Sequence, residues 1–452
     1  MDVMTLLIDV SIIAVLLLVG AIIRAKVRIL QRFVIPAAVI GGIIGLVLGH
    51  NVLRWLPTSD NYVQYASTLI NVIFASLFLG RKIPPIAKLG ETAGTQTLFA
   101  VFNNFGQIAV GMIVVLAFTL FGLGLHPTFG MQLILGYQGG VGVPTAFSKV
   151  YEQLGWSADA AAAVGEACAL TGLVLSILIG LVLVNIGIAR RFTKKVFHQS
   201  GKKVESVTFL SEGERKSVGM GITNPEALSN LGYNLAFLAI AILIGKGVQM
   251  GLVGLFRQLR FIPLFPFVLI GGILVQLVLQ LTKLDEYVDR GTISSISSVA
   301  LDVLIVAALI GLRPQLVFVY AAPLVVMLVL GVAFNLWQTV WLAPRVLPGA
   351  WFEKSLSEFG QGTGSTPSAM LLLRSVDPEL ETDAAEAFAL KMFFTSPTMV
   401  PMLILISPVV ATRGPLFTLA IYAAGMVVLF VLFRLLMWRK GGAGADTGSG
   451  SG

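Results

Sequence analysis

Two stretches of this chain bring together donors, acceptors and broken backbone inside otherwise apolar sequence. The first is Gln138-Gly139-Gly140-Val141-Gly142-Val143-Pro144-Thr145-Ala146, and the second is Gln361-Gly362-Thr363-Gly364-Ser365-Thr366-Pro367-Ser368-Ala369. Gln, Gly, Pro and Ala align without a gap, and Thr145 meets Ser368. Glycine and proline interrupt helices and leave N–H and C=O groups without helical partners. At membrane depth such backbone survives only when buried in protein or lining a wet cavity. Its duplication in two halves of a chain points to a transporter's substrate site. Two helices starting at these breaks would offer N–H groups and a positive dipole end to an anionic solute. The substrate candidates are therefore Gln138, Gly139, Gly140, Gly142, Thr145, Gln361, Gly362, Gly364, Ser365, Thr366 and Ser368. Freed carbonyls and hydroxyls, with Thr363 among them, would suit sodium. The plainer reading of both motifs is a pair of helix kinks packed against neighbours.

Other polar groups lie within apolar runs. Asp302 is mid-span, where a charge costs roughly 2.5–3.5 kcal/mol on insertion scales. It reads as a cation ligand, with Asn71 at the equivalent position of the first repeat as a further candidate, as a proton-coupling carboxylate, or as a structural anchor between helices. Glu166 and Lys391 occupy similar places in the two halves and read either as an ion pair or as substrate contacts. Lys391 is then the candidate partner of a substrate carboxylate. Asn104-x-x-Gln107 and Asn335-x-x-Gln338 each share one helix face, which suits interhelical hydrogen bonding as well as a site. Cys168 reads as packing.

These residues need a membrane scaffold to hold them. The chain is 56% hydrophobic and 12% charged, with a mean hydropathy of +0.89. At roughly 20 apolar residues per span, spans are expected at 4–23, 33–53, 63–80, 92–121, 158–187, 229–250, 264–282, 292–312, 315–343, 384–411 and 416–437. The predicted class is an all-α polytopic membrane protein made of two inverted five-span repeats. Each repeat carries a re-entrant glycine-rich hairpin, and one extra C-terminal span follows. The corresponding divisions are 1–187, a cytoplasmic linker 188–227, 228–411, the added span 412–440 and a disordered tail 441–452. With the N-terminus outside, the basic clusters at 24–32, 81–88 and 190–216 all face the cytoplasm, as the positive-inside rule requires. That asymmetry accounts for the net charge of +8 without invoking nucleic acid. Asp2 and Asp9 precede the first apolar run and the basic cluster follows it, which is a span rather than a signal peptide. One cysteine and three loop-placed histidines offer no metal cluster. An intramembrane hydrolase is disfavoured because Asp302 has no second mid-membrane aspartate and no membrane histidine is present to activate a serine.

From Ala167 through Gly180, from Gly139 through Lys149 and from Gly362 through Ala369, the chain resembles the bacterial sodium:glutamate symporter family. The likeness extends over roughly 5–411, with span eleven outside it. The resemblance implies sodium-coupled uptake of an acidic amino acid such as glutamate by an elevator motion, with sodium as coupling ion and no cofactor. It also implies a homodimer in the bacterial inner membrane. The family pattern has a histidine where this chain has Val141, and a Gly-His-Cys stretch where it has Ser357-Glu358-Phe359. Asp302 stands where a small hydroxyl residue is usual. A proton-coupled carrier or antiporter of an organic anion is the alternative, because Asp302 and Glu166 could both carry protons.

Overall fold

The computed structural model describes residues 2–32, 35–81, 94–193, 217, 219–224, 226–256, 262–377 and 382–437. Most of the expected linker and the whole Gly/Ser tail lie outside the described residues. The helices that matter here are α1 (Val3–Lys26), α2 (Ala37–Leu48), α3 (Tyr62–Ser76), α4 (Gly94–Leu120), α5 (Gln132–Gly139), α6 (Val143–Gln153) and α7 (Ala158–Ala189). They continue with α8 (Asn230–Leu255), α9 (Phe265–Thr282), α10 (Arg290–Gly311), α11 (Ala321–Trp337), α12 (Trp351–Thr363), α13 (Thr366–Val376) and α14 (Ala384–Leu432). No strand occurs among the described residues. Eight helices there are long and apolar enough to cross a membrane, as a polytopic membrane protein requires.

Side-chain hydroxyls and carboxylates set several helix starts. Ser157 caps α7 through Ala160 N–H, Ser229 caps α8 through Gly232 N–H, and Asp289 caps α10 through the N–H groups of Gly291 and Thr292. Burial pushes the Asp289 carboxyl up, but the Thr292 hydroxyl and these backbone donors outweigh it and hold the group below its ordinary value.

The helices pack as two groups. In the first, α10 lies against α2, α3 and α1, α3 also meets α9, and α8 pairs with α9. In the second, α7 is the axis: α5, α6, α12 and α13 all lie against it, while α4 packs on α11 and α14. Apolar side chains such as Leu7 on α1, Leu243 on α8 and Val427 on α14 point outward, a surface suited to lipid rather than water.

The helix α14 contains a break at Gly414, where φ is +81°. Ser407, before the break, bonds to Met131. Beyond it Tyr422 meets Phe105 at 5.1 Å and Phe433 meets Phe102 at 5.8 Å, so the chain runs back along α4. Gly414 thus falls between the two spans expected at 384–411 and 416–437. The run expected at 315–343 is also interrupted: a turn at Tyr320 precedes α11, and a π-helical turn, Gln338–Leu342, follows it.

Candidate functional site

Both glycine-rich motifs form a helix, a break and a second helix. In the first, α5 ends at Gly139, Gly140 and Gly142 have φ of +73° and +99°, and α6 starts with Pro144 in its first turn. In the second, α12 ends at Thr363, Gly364 and Ser365 form the break, and Pro367 opens α13. Proline fits there because the first turn of a helix has no use for its missing N–H.

Each motif doubles back, so its two ends lie together and its break lies at the tip. At the base of the first, the His126 ring is 3.1 Å from Leu154 O through Nε2 and stacks on Trp156. At the base of the second, Lys354 Nζ reaches Asp383 at 2.6 Å and Pro348 O at 2.9 Å. The helix α7 seats both tips through two glycines. A Cβ on Gly165 would sit 2.3 Å from Pro144, and one on Gly172 would sit 2.2 Å from Thr363 O. The tips touch through Gln361 Nε2, 3.5 Å from Gln138 O.

A cavity of about 350 Å³ lies where the two tips face the first helix group. Of the sequence-predicted residues, Gln138, Gly139, Gly140, Gln361, Gly364, Ser365, Thr366 and Lys391 line it, together with Asn104. Gly142, Thr145, Gly362, Thr363 and Ser368 are buried beside the breaks without lining it. Asp302 and Asn71 do not line it either, although Leu301, Leu304, Ile70 and Ile73 do. The Asp302 side is exposed on α10. Asn71 donates back to Thr68 O of its own helix at 2.8 Å and leaves Oδ1 without a hydrogen-bond partner.

Glu166 and Lys391 do not pair. The buried Glu166 carboxylate accepts from Gly142 N–H at 3.0 Å and from the Thr145 hydroxyl at 2.8 Å. Lys391 Nζ is 2.8 Å from Glu358 and 4.7 Å above the Phe388 ring. Glu358 also receives Gln96 Nε2 at 3.0 Å. Burial explains both matches, since a charge removed from water must find a partner.

A second hydrogen-bonded cluster binds the tips to α4 and α11. Asn103 Nδ2 donates to Asn335 Oδ1 at 2.6 Å and to Gln338 Oε1 at 2.5 Å. Gln107 Nε2 donates to Asn103 Oδ1 at 2.8 Å and to Gly362 O at 2.5 Å, so it satisfies a carbonyl freed beside the second break. Gln138 Nε2 donates to both Asn104 and Asn103. Sequence reading paired Asn104 with Gln107, but Asn103 carries the contact across to Asn335 and Gln338. The signal was available: Asn103 and Gln107 are four apart and share a face. Among the described residues no group of three or more His, Cys, Asp and Glu side chains gathers as metal ligands would. A cation held here would use hydroxyl, amide and carbonyl oxygens.

Residues 3–380 match the family model described as sodium/glutamate symporter. A sodium/glutamate symporter of Haemophilus influenzae is 25% identical over 371 residues, covering 80% of this chain and 86% of that protein. The sodium/glutamate symporter of Escherichia coli K12 is 25% identical over 368 residues, with the same coverage of each chain.

Proposed function

This chain belongs to the sodium/glutamate symporter family, a family of transporters rather than enzymes, and on that premise we propose that it is a secondary active carrier. It couples inward movement of sodium to uptake of an acidic amino acid such as glutamate or of a related carboxylate. The observation that carries this reading is the division of the cavity wall. Its polar groups, Asn104, Gln138, Gln361, Ser365, Thr366 and Lys391, come from the group that bears both broken motifs. The facing wall, from α2, α3 and α10, is apolar, with Val39, Ile73, Phe74 and Leu304 among its residues. A polar site facing an apolar wall can slide along it without breaking hydrogen bonds. This favours an elevator motion of the second group against the first.

In this reading the two motifs are re-entrant hairpins that enter from opposite faces of two inverted five-span repeats. The linker 188–227 is cytoplasmic, and the protein is a homodimer in the bacterial inner membrane. The open end of α13 meets the substrate carboxylate. Sodium takes oxygens at the second break, where Thr363 Oγ1 is buried and has no hydrogen-bond partner. Asp302 and Asn71 stand off the cavity and enter the ion's surroundings only in another position of the second group.

Uptake into proteoliposomes tests the proposal. An inward sodium gradient should drive accumulation of a carboxylated solute at constant pH, and a proton gradient alone should not. Proton-driven uptake without a sodium effect would replace this reading with the proton-coupled one.

A further inference from the structure

A chain of amide side chains leads from backbone carbonyls to the cavity, and its direction is fixed at the backbone end. Gln338 Nε2 donates to Phe99 O at 2.8 Å, Asn335 Nδ2 to Gly331 O at 2.8 Å, and Gln107 Nε2 to Gly362 O at 2.5 Å. A carbonyl can only accept, so each of these amides must turn its nitrogen that way. Asn335 Oδ1 and Gln338 Oε1 are left to accept, and both do so from Asn103 Nδ2. Asn103 Oδ1 then accepts from Gln107 Nε2 at 2.8 Å and from Gln138 Nε2 at 3.0 Å. Asn103 is buried and makes all four hydrogen bonds that an amide can make. The second hydrogen of Gln138 Nε2 goes to Asn104 Oδ1 at 2.6 Å. Reversing Gln138 would set its oxygen against two acceptors. Gln138 and Asn104 both line the cavity. Among the described residues Gln138 Oε1 and Asn104 Nδ2 meet no protein partner, so the chain ends there in one free acceptor and one free donor. Gln361 differs, because its Nε2 is engaged by Gln138 O and its Oε1 by the Thr366 hydroxyl.

Resting on the carrier reading above, we infer that Gln138 selects an amino acid over the same carboxylate without its amine. Its Oε1 accepts from the substrate ammonium, and Asn103 is the positioning residue that holds the amide in this sense. Asn104 Nδ2, beside it, suits a carboxylate oxygen of the same solute. An ammonium carries donors and no acceptor, so an amide nitrogen in the place of Oε1 would repel it. A solute without the ammonium leaves Oε1 unpaired once water is excluded, and that loss is what discriminates against it.

The test measures sodium-dependent binding to the full-length protein for two solute pairs that differ only in the ammonium: glutamate with glutarate, and aspartate with succinate. The wild type should bind the amino acid of at least one pair roughly 10- to 100-fold more tightly, the range for a hydrogen bond to a charged group. Gln138→Met keeps the length and removes Oε1. It should weaken the amino acid by about that factor and its amine-free partner far less, so the ratio approaches one. Asn103 lies outside the cavity lining, yet Asn103→Leu frees the Gln138 amide to turn and should also lower the ratio. A merely structural role would weaken both members of a pair alike. A folded variant of either kind that keeps the wild-type ratio therefore overturns the inference and leaves the carrier standing. So does a wild type that binds the amine-free acids as tightly as the amino acids. Absence of sodium-dependent binding for all four solutes instead overturns the carrier reading, and the inference with it. If neither variant folds, the wild-type ratios decide alone.

Discussion

The two helix–break–helix segments share their punctuation and differ in almost everything that contacts it. The first is closed at its base by a histidine and a tryptophan, the second by a lysine–aspartate pair. At the first tip the start of α6 meets the Glu166 carboxylate of α7, while at the second Ser365 and Thr366, at the start of α13, line the cavity. The first also reaches across to the other helix group: Phe147 meets Phe265 at 5.4 Å, and Gly142 is pressed against Leu304. The second is held by α7 and α4, with Gly364 against Ser176 and the Gly362 carbonyl bonded to Gln107. A duplicated backbone device can thus keep its geometry while its two copies take different partners: a carboxylate on α7 at the first break and neutral hydroxyl and amide groups at the second.

Substitutions at the glycines should break this comparison most severely. A Cβ on Gly142 would sit 1.9 Å from Leu304 Cδ2, at a φ of +99° that L side chains rarely adopt. Gly142→Leu should therefore lower sodium-driven uptake roughly 100-fold, the order expected when reacting or binding groups are displaced by about 1 Å. Gly140→Ala meets nothing within 4 Å, although its φ of +73° with extended ψ strains any side chain by about 1–3 kcal/mol. It should retain measurable transport. Equal loss in both variants, with normal insertion into the membrane, would mean that contact with α10 is not what makes the first tip sensitive.

The buried charges come next. Removing one partner of the Lys391–Glu358 pair strands the other, at a cost of about 3–5 kcal/mol. Lys391→Met and Glu358→Gln should each lower the melting temperature of the purified protein more than Glu166→Gln does. The Glu166 partners are neutral donors that an amide oxygen can still serve, so that change is expected to cost about 1–3 kcal/mol. The Lys391→Met, Glu358→Gln double variant should recover most of the stability. If it also keeps substrate affinity, Lys391 is a structural charge and the carboxylate contact belongs to α13 alone. If affinity falls although stability returns, Lys391 touches the substrate as well.

Much of the fold was legible because glycine, proline and apolar length act locally. The spans expected at 92–121, 158–187 and 264–282 nearly coincide with Gly94–Leu120, Ala158–Ala189 and Phe265–Thr282. Both glycine–proline motifs contribute residues to one cavity, and Gly414 breaks the helix between the last two expected spans. The partner of each polar side chain was not legible. A helix that is apolar on all sides has no contrasting face to show which way it turns. Repeat position therefore offered Glu166 and Lys391 either as a pair or as substrate contacts, whereas each charge meets a group on the adjacent helix–break–helix segment. Asp302 was placed at the site for the same reason, although the α10 face that lines the cavity is the neighbouring one with Leu301, Leu304 and Ile305. Glu358 was visible as a departure from the family pattern, but its pairing needed the packing of α12 on α14.

The smallest expected effect is a pH dependence confined to the base of the first segment. Leu154 O can only accept, so His126 carries its hydrogen on Nε2, and Nδ1 accepts from Thr128 N–H at 3.3 Å. Protonation of Nδ1 would remove that acceptor. Burial pushes the imidazole below its ordinary value of 6.5, and the bond to Leu154 O offsets part of the shift. Between the depressed value and 6.5 the unfolded chain binds more protons than the folded one, so stability rises with pH across that window. The contribution is complete above about 6.5 and is lost as the pH falls through the folded value. The tie at the second base, Lys354 to Asp383, contains no imidazole. Melting curves between pH 8 and pH 5, an interval set by the ordinary histidine range of about 6.5, should show a shallow downward slope in the wild type on the acid side. His126→Gln should start lower and lose that part of the slope, while Lys354→Met should keep it. A wild-type protein that gains stability relative to His126→Gln on acidification would reverse the sign and remove His126 as the clasp of the first segment.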